Sequence, residues 1–400
     1  MKRISKPSDL AVFGAPPAFA EALHVGRPNI GNRADFLRRV DEILDRRWFS
    51  NNGPVVREFE ARVARYLDVG HCIAVCNGTA ALELAIRGLE LEGEVIIPSF
   101  TFVATAHALQ WHGISPVFAD IDPETCTLDV ASVRDAITPR TSAILGVHVW
   151  GRPCEVTELG KLADAHGLKL LFDAAHAFGC AYRGRMLGGF GACEVLSFHA
   201  TKFMSTFEGG AVVTNDSVLA DRLRLLRNFG FSGADNVVQI GVNAKMPEIC
   251  AAMGLTGLES IDGIVSTNRR NHDAYARALS GIRGLKLLRY PDADRSNYQY
   301  AVVDVSDEFG LERDLLARIL HAENVLVRRY FYPGCHEMEP YRSLYPDAGR
   351  SLPHTTALCK RVLSFPTGTA VDGRQIETIG TLLRCVGAHG TEIARRLRAS

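Results

Sequence analysis

The stretch 168–177 reads LKLLFDAAHA, a short apolar run that ends in an aspartate. Near-continuous apolar runs of this length are typical of strands that are buried on both faces of a parallel sheet. Asp173 stands at the end of the run, where a carboxylate is costly to bury unless it meets a cation or hydrogen-bond donors. The stretch therefore predicts a buried strand with a carboxylate at its carboxyl end.

Apolar strands alternate with amphipathic helices from about residue 71 to about residue 240. This alternation predicts an α/β fold with a mostly parallel central sheet covered by helices. Helical spacing is clear at 77–91 and at 156–167, where Thr157 is the predicted N-cap. The other predicted strands are HCIAVC (71–76), EVIIPS (94–99), SPVFADID (115–122), TSAILGVHVWG (141–151), CEVLSFH (193–199) and GGAVVTND (209–216).

The alternation weakens after about residue 240, which indicates a second structural unit. A mainly helical stretch from residue 243 includes a long connecting segment at about 256–280. It is followed by an alternating strand at 297–306 and a terminal helix at 372–389. We predict a large domain over 1–265 and a smaller α+β domain over 266–400.

Composition excludes several classes of protein. The 400 residues are 47% apolar and 22% charged, as in an ordinary globular chain. Basic and acidic residues balance at 45 each, so no overall field favours nucleic acid or an anionic membrane. Ten cysteines without a Cys-x-x-Cys pair, no signal-peptide pattern and no apolar run of membrane length favour a cytoplasmic protein.

Several polar residues follow predicted strands at the edge where open parallel sheets bind their ligands. In CNGTAAL (76–82), a strand leads through glycine into a helix. The unpaired N–H groups of such a helix start bind anions, best a phosphate, although a plain helix start is the alternative reading. No Walker-type or G-x-G-x-x-G run supports a nucleotide site, and the pattern indicates no metal site.

Three side chains at the same edge are candidates for binding a ligand or for catalysis. Asp173 could pair with a protonated ring nitrogen of a ligand, or it could cap a helix or form a loop salt bridge. His176 could be an ordinary buried histidine or a ligand contact. Lys202, after the strand at 193–199, could lose its proton on desolvation and attack an aldehyde, or it could be a solvated lysine.

Taken together, an anion site, a buried carboxylate and an amine match the needs of pyridoxal 5'-phosphate. The phosphate anchors this cofactor, and a carboxylate keeps its pyridine nitrogen protonated so that the ring accepts electrons. The lysine forms a Schiff base with the aldehyde and later moves protons.

At these residues the sequence resembles a known family, the DegT-type branch of the fold type I (aspartate aminotransferase-like) enzymes. They are pyridoxal-phosphate aminotransferases that act on nucleotide-linked keto sugars. The resemblance extends from WFSNNGPVVREFE (48–60) to RVLSFPTGT (361–369). Its motifs are CNGTAAL, PSFTFVATAHA, FADIDPET, HVWGRPC, DAAHAFG, SFHATK, EGGAVVTND and FYPGCHEMEPY.

The resemblance implies two catalytic residues. Lys202 would form the Schiff base, and Asp173 would face the pyridinium nitrogen. Relatives with histidine at the lysine position are dehydratases, so the lysine favours transamination. Phe102 would stack on the cofactor ring, and His176 would lie near its phenolic oxygen.

The resemblance also implies a phosphate site shared between the subunits of a homodimer. Gly78, Thr79 and Ser197 would contact the phosphate from one subunit. Many relatives add an asparagine from the neighbouring subunit. Here the matching position in GVNAKMPEI is Lys245, with Asn243 two residues earlier; a lysine could still serve a phosphate as a point charge.

The motif versions SFHATK, FEGG and NAKM resemble the branch that aminates C4 of dTDP-4-keto-6-deoxy-D-glucose with L-glutamate as the usual donor. The product would be dTDP-4-amino-4,6-dideoxy-D-glucose, a precursor of antibiotics or surface polysaccharides. A 3-keto sugar, a UDP- or GDP-linked 4-keto sugar, a cyclitol and a non-catalytic, cofactor-binding sensor are the alternatives. The stretch RRYFYPGCHEMEPY (328–341) is predicted to line the sugar pocket, with His336 as its candidate residue; a packed loop is the alternative.

Overall fold

The computed structural model describes residues 4–290 and 294–399. Its strands are short, and seven of the fourteen in these residues belong to one large sheet. In chain order they are β1 (Leu23–His24), β2 (His71–Val75), β3 (Glu94–Pro98), β4 (Ser115–Ala119), β5 (Thr141–Val147), β6 (Lys169–Asp173), β7 (Ala181–Tyr182), β8 (Arg185–Met186), β9 (Cys193–Ser197), β10 (Gly210–Thr214), β11 (Leu285–Leu287), β12 (Ala301–Val305), β13 (Val325–Leu326) and β14 (Val362–Phe365).

Helices follow most of these strands. In chain order they are α1 (Arg33–Arg46), α2 (Pro54–Leu67), α3 (Gly78–Gly88), α4 (Ala104–Trp111), α5 (Val130–Asp135), α6 (Val156–His166), α7 (Ser217–Leu226), α8 (Glu248–Glu259), α9 (Ile261–Leu279), α10 (Arg313–Ala322), α11 (Tyr341–Leu344), α12 (Pro353–Arg361), α13 (Gly373–Ala388) and α14 (Gly390–Ala399).

The large sheet has seven strands in the order β2-β10-β9-β6-β5-β3-β4. All neighbouring pairs are parallel except those of β10, which is antiparallel to both β2 and β9. The strand that ends at Asp173 is β6, between β5 and β9. The predicted α/β fold with a mostly parallel sheet is confirmed.

Apolar side chains bury both faces of the sheet. Successive residues of a strand point to opposite faces. In β6, Phe172 belongs to the apolar cluster on one face and Leu171 to the cluster on the other. Because both faces are covered, the strands are apolar without alternation, which explains the pattern of 168–177.

A third apolar cluster joins the two ends of the chain. Ile4, Leu10 and Phe19 pack there with residues of α9, α10, β12 and α13. A three-stranded antiparallel sheet, β11-β12-β14, lies in this unit. The boundary after residue 265 stays a prediction; it falls inside α9.

Some predicted bounds differ from the structure. The helical stretch predicted from residue 243 begins at Glu248 and is interrupted at Ser260. Thr157 is not an N-cap, because α6 begins at Val156 with Glu155 as its cap residue. The Thr157 hydroxyl instead accepts a hydrogen bond from Tyr182 at 3.2 Å.

Within the described residues, no single helix has the length and apolarity to cross a membrane. Only α8 and α9 taken together, a pair bent by 63°, satisfy that criterion, on length and composition alone.

Candidate active site

The carboxyl ends of β5, β6 and β9 meet at one cavity. The register pairs Asp173 with Val147 of β5 and with Val195 of β9. The cavity has a volume of about 370 Å³. Seven predicted site residues line it together, although they lie far apart in sequence: Gly78, Thr79, Phe102, Asp173, His176, Ser197 and Lys202.

One end of the cavity is formed by the start of α3. The Asn77 side chain caps this helix by accepting a hydrogen bond from the Ala80 N–H at 2.8 Å. The Gly78 and Thr79 N–H groups, in the first turn, have no partner within the helix. A Cβ at Gly78 would lie 2.9 Å from Ser197 Cβ, so glycine allows the helix start and the end of β9 to approach closely. Free N–H groups at a helix start can bind an anion, so this end of the cavity is the candidate anion site.

Asp173 is nearly buried, and donors hold its carboxylate. Oδ2 accepts a hydrogen bond from the Thr105 hydroxyl at 2.9 Å, and Oδ1 accepts one from the Ala175 N–H at 3.1 Å. Burial raises the pKa of Asp173 above its usual value, and these two hydrogen bonds oppose the rise. A cation brought to this carboxylate would be bound strongly, because little water competes for it.

His176 is held in one orientation. Its Nδ1 accepts a hydrogen bond from the Trp150 N–H at 3.1 Å, and its ring stacks on Phe331 at 5.7 Å between centroids. Burial lowers the pKa of His176 well below its usual value, so the ring is neutral. Since Nδ1 accepts, Nε2 bears the hydrogen and is a donor.

Lys202 lies in the turn that follows β9. Its backbone N–H donates a hydrogen bond to the His199 carbonyl at 2.8 Å. Burial lowers the pKa of the Lys202 amine to about 8, and the Asp173 charge opposes this shift. A substantial share of the amine is therefore neutral near pH 8, the form in which a lysine is nucleophilic.

Phe102 presents an aromatic face to the cavity. Its side chain is 58% exposed, unusual for a large apolar ring at a cavity wall. Its nearest aromatic neighbour is Phe331, at 6.5 Å between centroids. A flat, electron-poor ring would cover this exposed surface by stacking.

Comparison with known proteins assigns this site to a family. The profile of the DegT/DnrJ/EryC1/StrS aminotransferase family matches residues 31–384 of the chain. The chain belongs to this family. It is an aminotransferase, and its fold is that of the fold type I enzymes.

Several relatives of this aminotransferase are named as transaminases of amino sugars linked to dTDP. A dTDP-4-amino-4,6-dideoxy-D-glucose transaminase of Escherichia coli is 36% identical over 91% of this chain and 98% of its own length. A dTDP-3-amino-3,4,6-trideoxy-alpha-D-glucose transaminase of Streptomyces venezuelae is 36% identical over 81% of this chain and 84% of its own length. The crystal structure of DesI in the presence of its TDP-sugar product superposes with a TM-score of 0.93 at 51% identity, covering 98% and 99% of the two chains.

Three residues predicted for the site do not line the cavity of this aminotransferase. His336 is buried, and its Nδ1 lies 2.6 Å from the Ser99 hydroxyl; its place in a sugar pocket stays a prediction. Asn243 and Lys245 also lie outside the cavity of their own chain, and Lys245 donates to Asn228 Oδ1 at 3.0 Å. Their contact with a neighbouring subunit stays a prediction.

Sequence reasoning missed several residues of the wall. Thr101 lines the cavity and was not predicted; its hydroxyl is 2.9 Å from that of Thr105, which lies outside the lining and donates to Asp173. Tyr300, Arg328 and Phe331 come from the C-terminal unit. Arg328 and Phe331 lie in RRYFYPGCHEMEPY (328–341), the stretch predicted to line the sugar pocket, although neither residue was singled out. Tyr300 has no such local signal.

The residues present fit pyridoxal 5'-phosphate, the cofactor on which the family's aminotransferases depend. The anion site at α3 suits the phosphate, and the exposed face of Phe102 suits the ring. The hydrogen bonds that Asp173 accepts come from a hydroxyl and a backbone N–H, so its carboxylate can also pair with a protonated ring nitrogen.

Proposed function

We propose that this protein transfers an amino group from L-glutamate to a nucleotide-linked keto sugar. The favoured acceptor carbon is C4 of dTDP-4-keto-6-deoxy-D-glucose, which gives dTDP-4-amino-4,6-dideoxy-D-glucose. The observation that supports the chemistry best is the shared cavity of Lys202 and Asp173 beside an anion site. The names of the Escherichia coli relative and of DesI, with its TDP-sugar product, support the sugar.

Pyridoxal 5'-phosphate, when bound, supplies an electron-accepting ring and stores the amino group between the two half-reactions. Gly78, Thr79 and Ser197 would hold its phosphate. Asp173 would keep a proton on the ring nitrogen, and Phe102 would stack on the ring. These residues fix the cofactor so that the reacting atoms face Lys202.

Lys202 would move the protons of both half-reactions. In the first, its neutral amine takes the proton from Cα of glutamate, and 2-oxoglutarate leaves. In the second, Lys202 returns a proton to the sugar carbon that receives nitrogen. Because one side chain delivers the proton from one side, the product has one configuration at that carbon. A pKa of about 8 suits a group that takes and gives protons near neutral pH.

A homodimer would complete the site. Residues 228–243 form an irregular hairpin, closed by the Asn228–Asn243 and Phe231–Val237 bridges, which we call the arm. The arm exposes six apolar side chains, namely Phe229, Phe231, Val237, Val238, Ile240 and Val242. Such a patch favours burial against a second copy of this chain. Asn243 and Lys245 would then reach the phosphate of the partner subunit.

The sugar position is the least constrained part of the proposal. The Streptomyces venezuelae relative, named for a 3-amino sugar, is as similar in identity as the Escherichia coli enzyme. A 3-keto sugar nucleotide is therefore the second candidate. The catalytic residues would be the same for both. A cytoplasmic location, where sugar nucleotides are made, is part of the proposal.

Product analysis tests this function. The purified protein, L-glutamate and a panel of dTDP-, UDP- and GDP-linked 3- and 4-keto sugars are incubated together. Products are then read by mass and NMR, and 2-oxoglutarate is measured. We expect equal amounts of 2-oxoglutarate and a 4-amino dTDP sugar. Amination of a 3-keto sugar would replace the favoured acceptor. No 2-oxoglutarate with any sugar would remove the function.

A further inference from the structure

His148 begins HVWGRPC (148–154), a motif to which the proposed function gives no role. The residue follows β5 directly, and its side chain is completely buried. Its backbone N–H donates a hydrogen bond to the Asp173 carbonyl at 3.0 Å. His148 is therefore joined through the main chain to the strand end that carries the Asp173 carboxylate.

The His148 ring lies against β6 on the face opposite to the Asp173 side chain, because Phe172 and Asp173 point to opposite faces of the sheet. It stacks on the Phe172 ring at 4.6 Å between centroids. Its Nε2 lies 3.4 Å from Oε2 of Glu194, a buried residue that the register of β9 pairs with Phe172. A histidine after β5 and a glutamate of β9 thus meet beneath the strand that ends at Asp173.

Hydrogen bonds determine where the ring hydrogen of His148 lies. Nδ1 accepts a hydrogen bond from the Cys154 N–H at 3.0 Å, so it bears no proton, and the ring hydrogen is on Nε2. Glu194 Oε1 accepts from the N–H groups of Gly188 and Phe190, at 2.7 and 2.9 Å. In the described part of the chain, neither His148 Nε2 nor Glu194 Oε2 has another hydrogen-bond partner. The His148 Nε2–H and the free carboxylate oxygen are therefore matched to each other.

The loop that contains the motif has an unusual backbone. Trp150 has a φ of 56°, a left-handed conformation that a bulky residue keeps only where its surroundings impose it. The hydrogen bond from the Cys154 N–H to His148 closes this loop. Within it, the Trp150 N–H donates to Nδ1 of His176 at 3.1 Å, and His176 lines the cavity. His148 therefore holds the loop, and the loop orients the His176 ring.

We propose that His148, oriented by Glu194, is a positioning residue for amino transfer. Its backbone holds Asp173 and its ring holds the loop that orients His176, the two groups that would face the ring nitrogen and the phenolic oxygen of the cofactor. This assignment rests on the proposed function. His148 and Glu194 are absent from the lining of the cavity, so they act through other residues. They contribute to the geometry of the reaction and not to the binding of substrates.

Steady-state kinetics of matched variants tests this. His148→Phe keeps a ring against Phe172 but removes both ring nitrogens, and Glu194→Gln keeps the shape but replaces one acceptor oxygen by a donor. We expect each to lower kcat about 10- to 100-fold, because small displacements of reacting groups have effects of this size, with KM values within about twofold. His272→Phe is the control. His272 is also buried, contacts two tyrosine rings and has one hydrogen bond, to the Leu288 carbonyl; its loss should leave kcat unchanged.

Nitrogen-15 NMR of the histidine-labelled protein, with and without pyridoxal 5'-phosphate, separates positioning from a general loss of stability. In the wild type, His176 should show an accepting Nδ1 and a protonated Nε2. His148→Phe should shift the His176 Nδ1 signal, and His272→Phe should not. If His148→Phe does not fold, Glu194→Gln provides the same two measurements.

Three outcomes would overturn the role of His148. They are an unchanged His176 signal in the variants, a kcat within about threefold of the wild type, and an equal loss of kcat in His272→Phe. Wild-type release of 2-oxoglutarate from glutamate separates the two proposals. Its absence removes the function, whereas the NMR comparison does not depend on activity and by itself decides whether His148 orients His176.

Discussion

At the scale of single residues, burial determines the chemistry. Lys202 and Asp173 lie in the same cavity, and desolvation shifts both pKa values toward the neutral form. Each charge partly offsets the shift of the other. A cationic ring nitrogen beside Asp173 would stabilise its charged form, which makes the pair sensitive to the bound cofactor.

Asp173→Asn should reduce kcat by about 100-fold or more. The amide has the shape of the carboxylate but no charge to stabilise a protonated ring nitrogen, and such preorganised electrostatic contacts have effects of this size. Steady-state kinetics measures it. Thr105→Val, which removes only the hydroxyl that donates to Asp173, should give a smaller loss. A near-native rate for Asp173→Asn would refute the role of this carboxylate.

Lys202 should make the stability of the cofactor-free protein depend on pH. Its pKa is about 8 in the folded state, against 10.5 for an ordinary lysine. Between these values the unfolded chain binds a proton that the folded chain lacks, so the free energy of unfolding rises with pH. Relative to Lys202→Met, the wild type should gain up to about 3 kcal/mol between pH 8 and 10.5.

Urea unfolding of both proteins at several pH values measures this difference. The comparison with Lys202→Met removes the titration of tyrosines and cysteines, which both proteins share. A pH-independent difference would mean that the Lys202 amine is not desolvated in the folded state.

At the scale of elements, the start of α3 and the end of β9 approach closely where the phosphate site is proposed. Gly78 meets Ser197, and Gly210 at the start of β10 meets the Asn77 carbonyl carbon, where a Cβ would lie only 2.6 Å away. Close packing therefore explains the glycines of CNGTAAL and EGG. Without a side chain, they let the strand ends and the helix start approach the place where an anion would bind.

Gly78→Ala should weaken cofactor binding by about 10-fold or more. The added methyl would overlap Ser197 at 2.9 Å and push the first turn of α3 out of position. Fluorescence titration of the cofactor-free protein with pyridoxal 5'-phosphate gives the Kd. Gly373→Ala is the control, because Gly373 is likewise the first residue of its helix but has no atom within 4 Å of the new Cβ. Equal Kd values for the two variants would contradict this account.

At the scale of the whole molecule, the exposed arm is the feature that a single chain does not explain. Ile240 is 83% exposed, and its apolar neighbours in the arm are half exposed. Asn243 and Lys245 stand at or just beyond the end of this arm. A second chain that covered the arm would bury the apolar side chains and receive these polar ones.

Ile240→Asp should separate the proposed dimer and lower cofactor affinity at the same time. A carboxylate in a buried apolar contact is unfavourable, and the partner's Lys245 would be lost from the phosphate. Light scattering and cofactor titration measure the two effects. Val218→Asp, at an exposed apolar position in the first turn of α7 and so at the end of that helix away from the arm, should change neither. A dimeric Ile240→Asp variant would count against an arm-mediated interface.

The sequence by itself determined the sheet and the residues that stand at its carboxyl edge. Buried parallel strands need continuous apolar residues, and polar residues directly after such strands share one edge, so Gly78, Asp173, Ser197 and Lys202 were predictable. The motif DAAHAFG likewise gave His176. These signals are local, because each depends on one strand and the residue that follows it.

Only the tertiary structure decided what closes the cavity and what stays outside it. Arg328, Tyr300 and Phe331 reach the cavity because the C-terminal unit packs over the sheet edge, and the same packing buries His336 beside Ser99, outside the lining. The N-terminal segment joins the C-terminal core for the same reason. Contacts between residues distant in sequence depend on the packing of whole elements, which no local pattern of residues specifies.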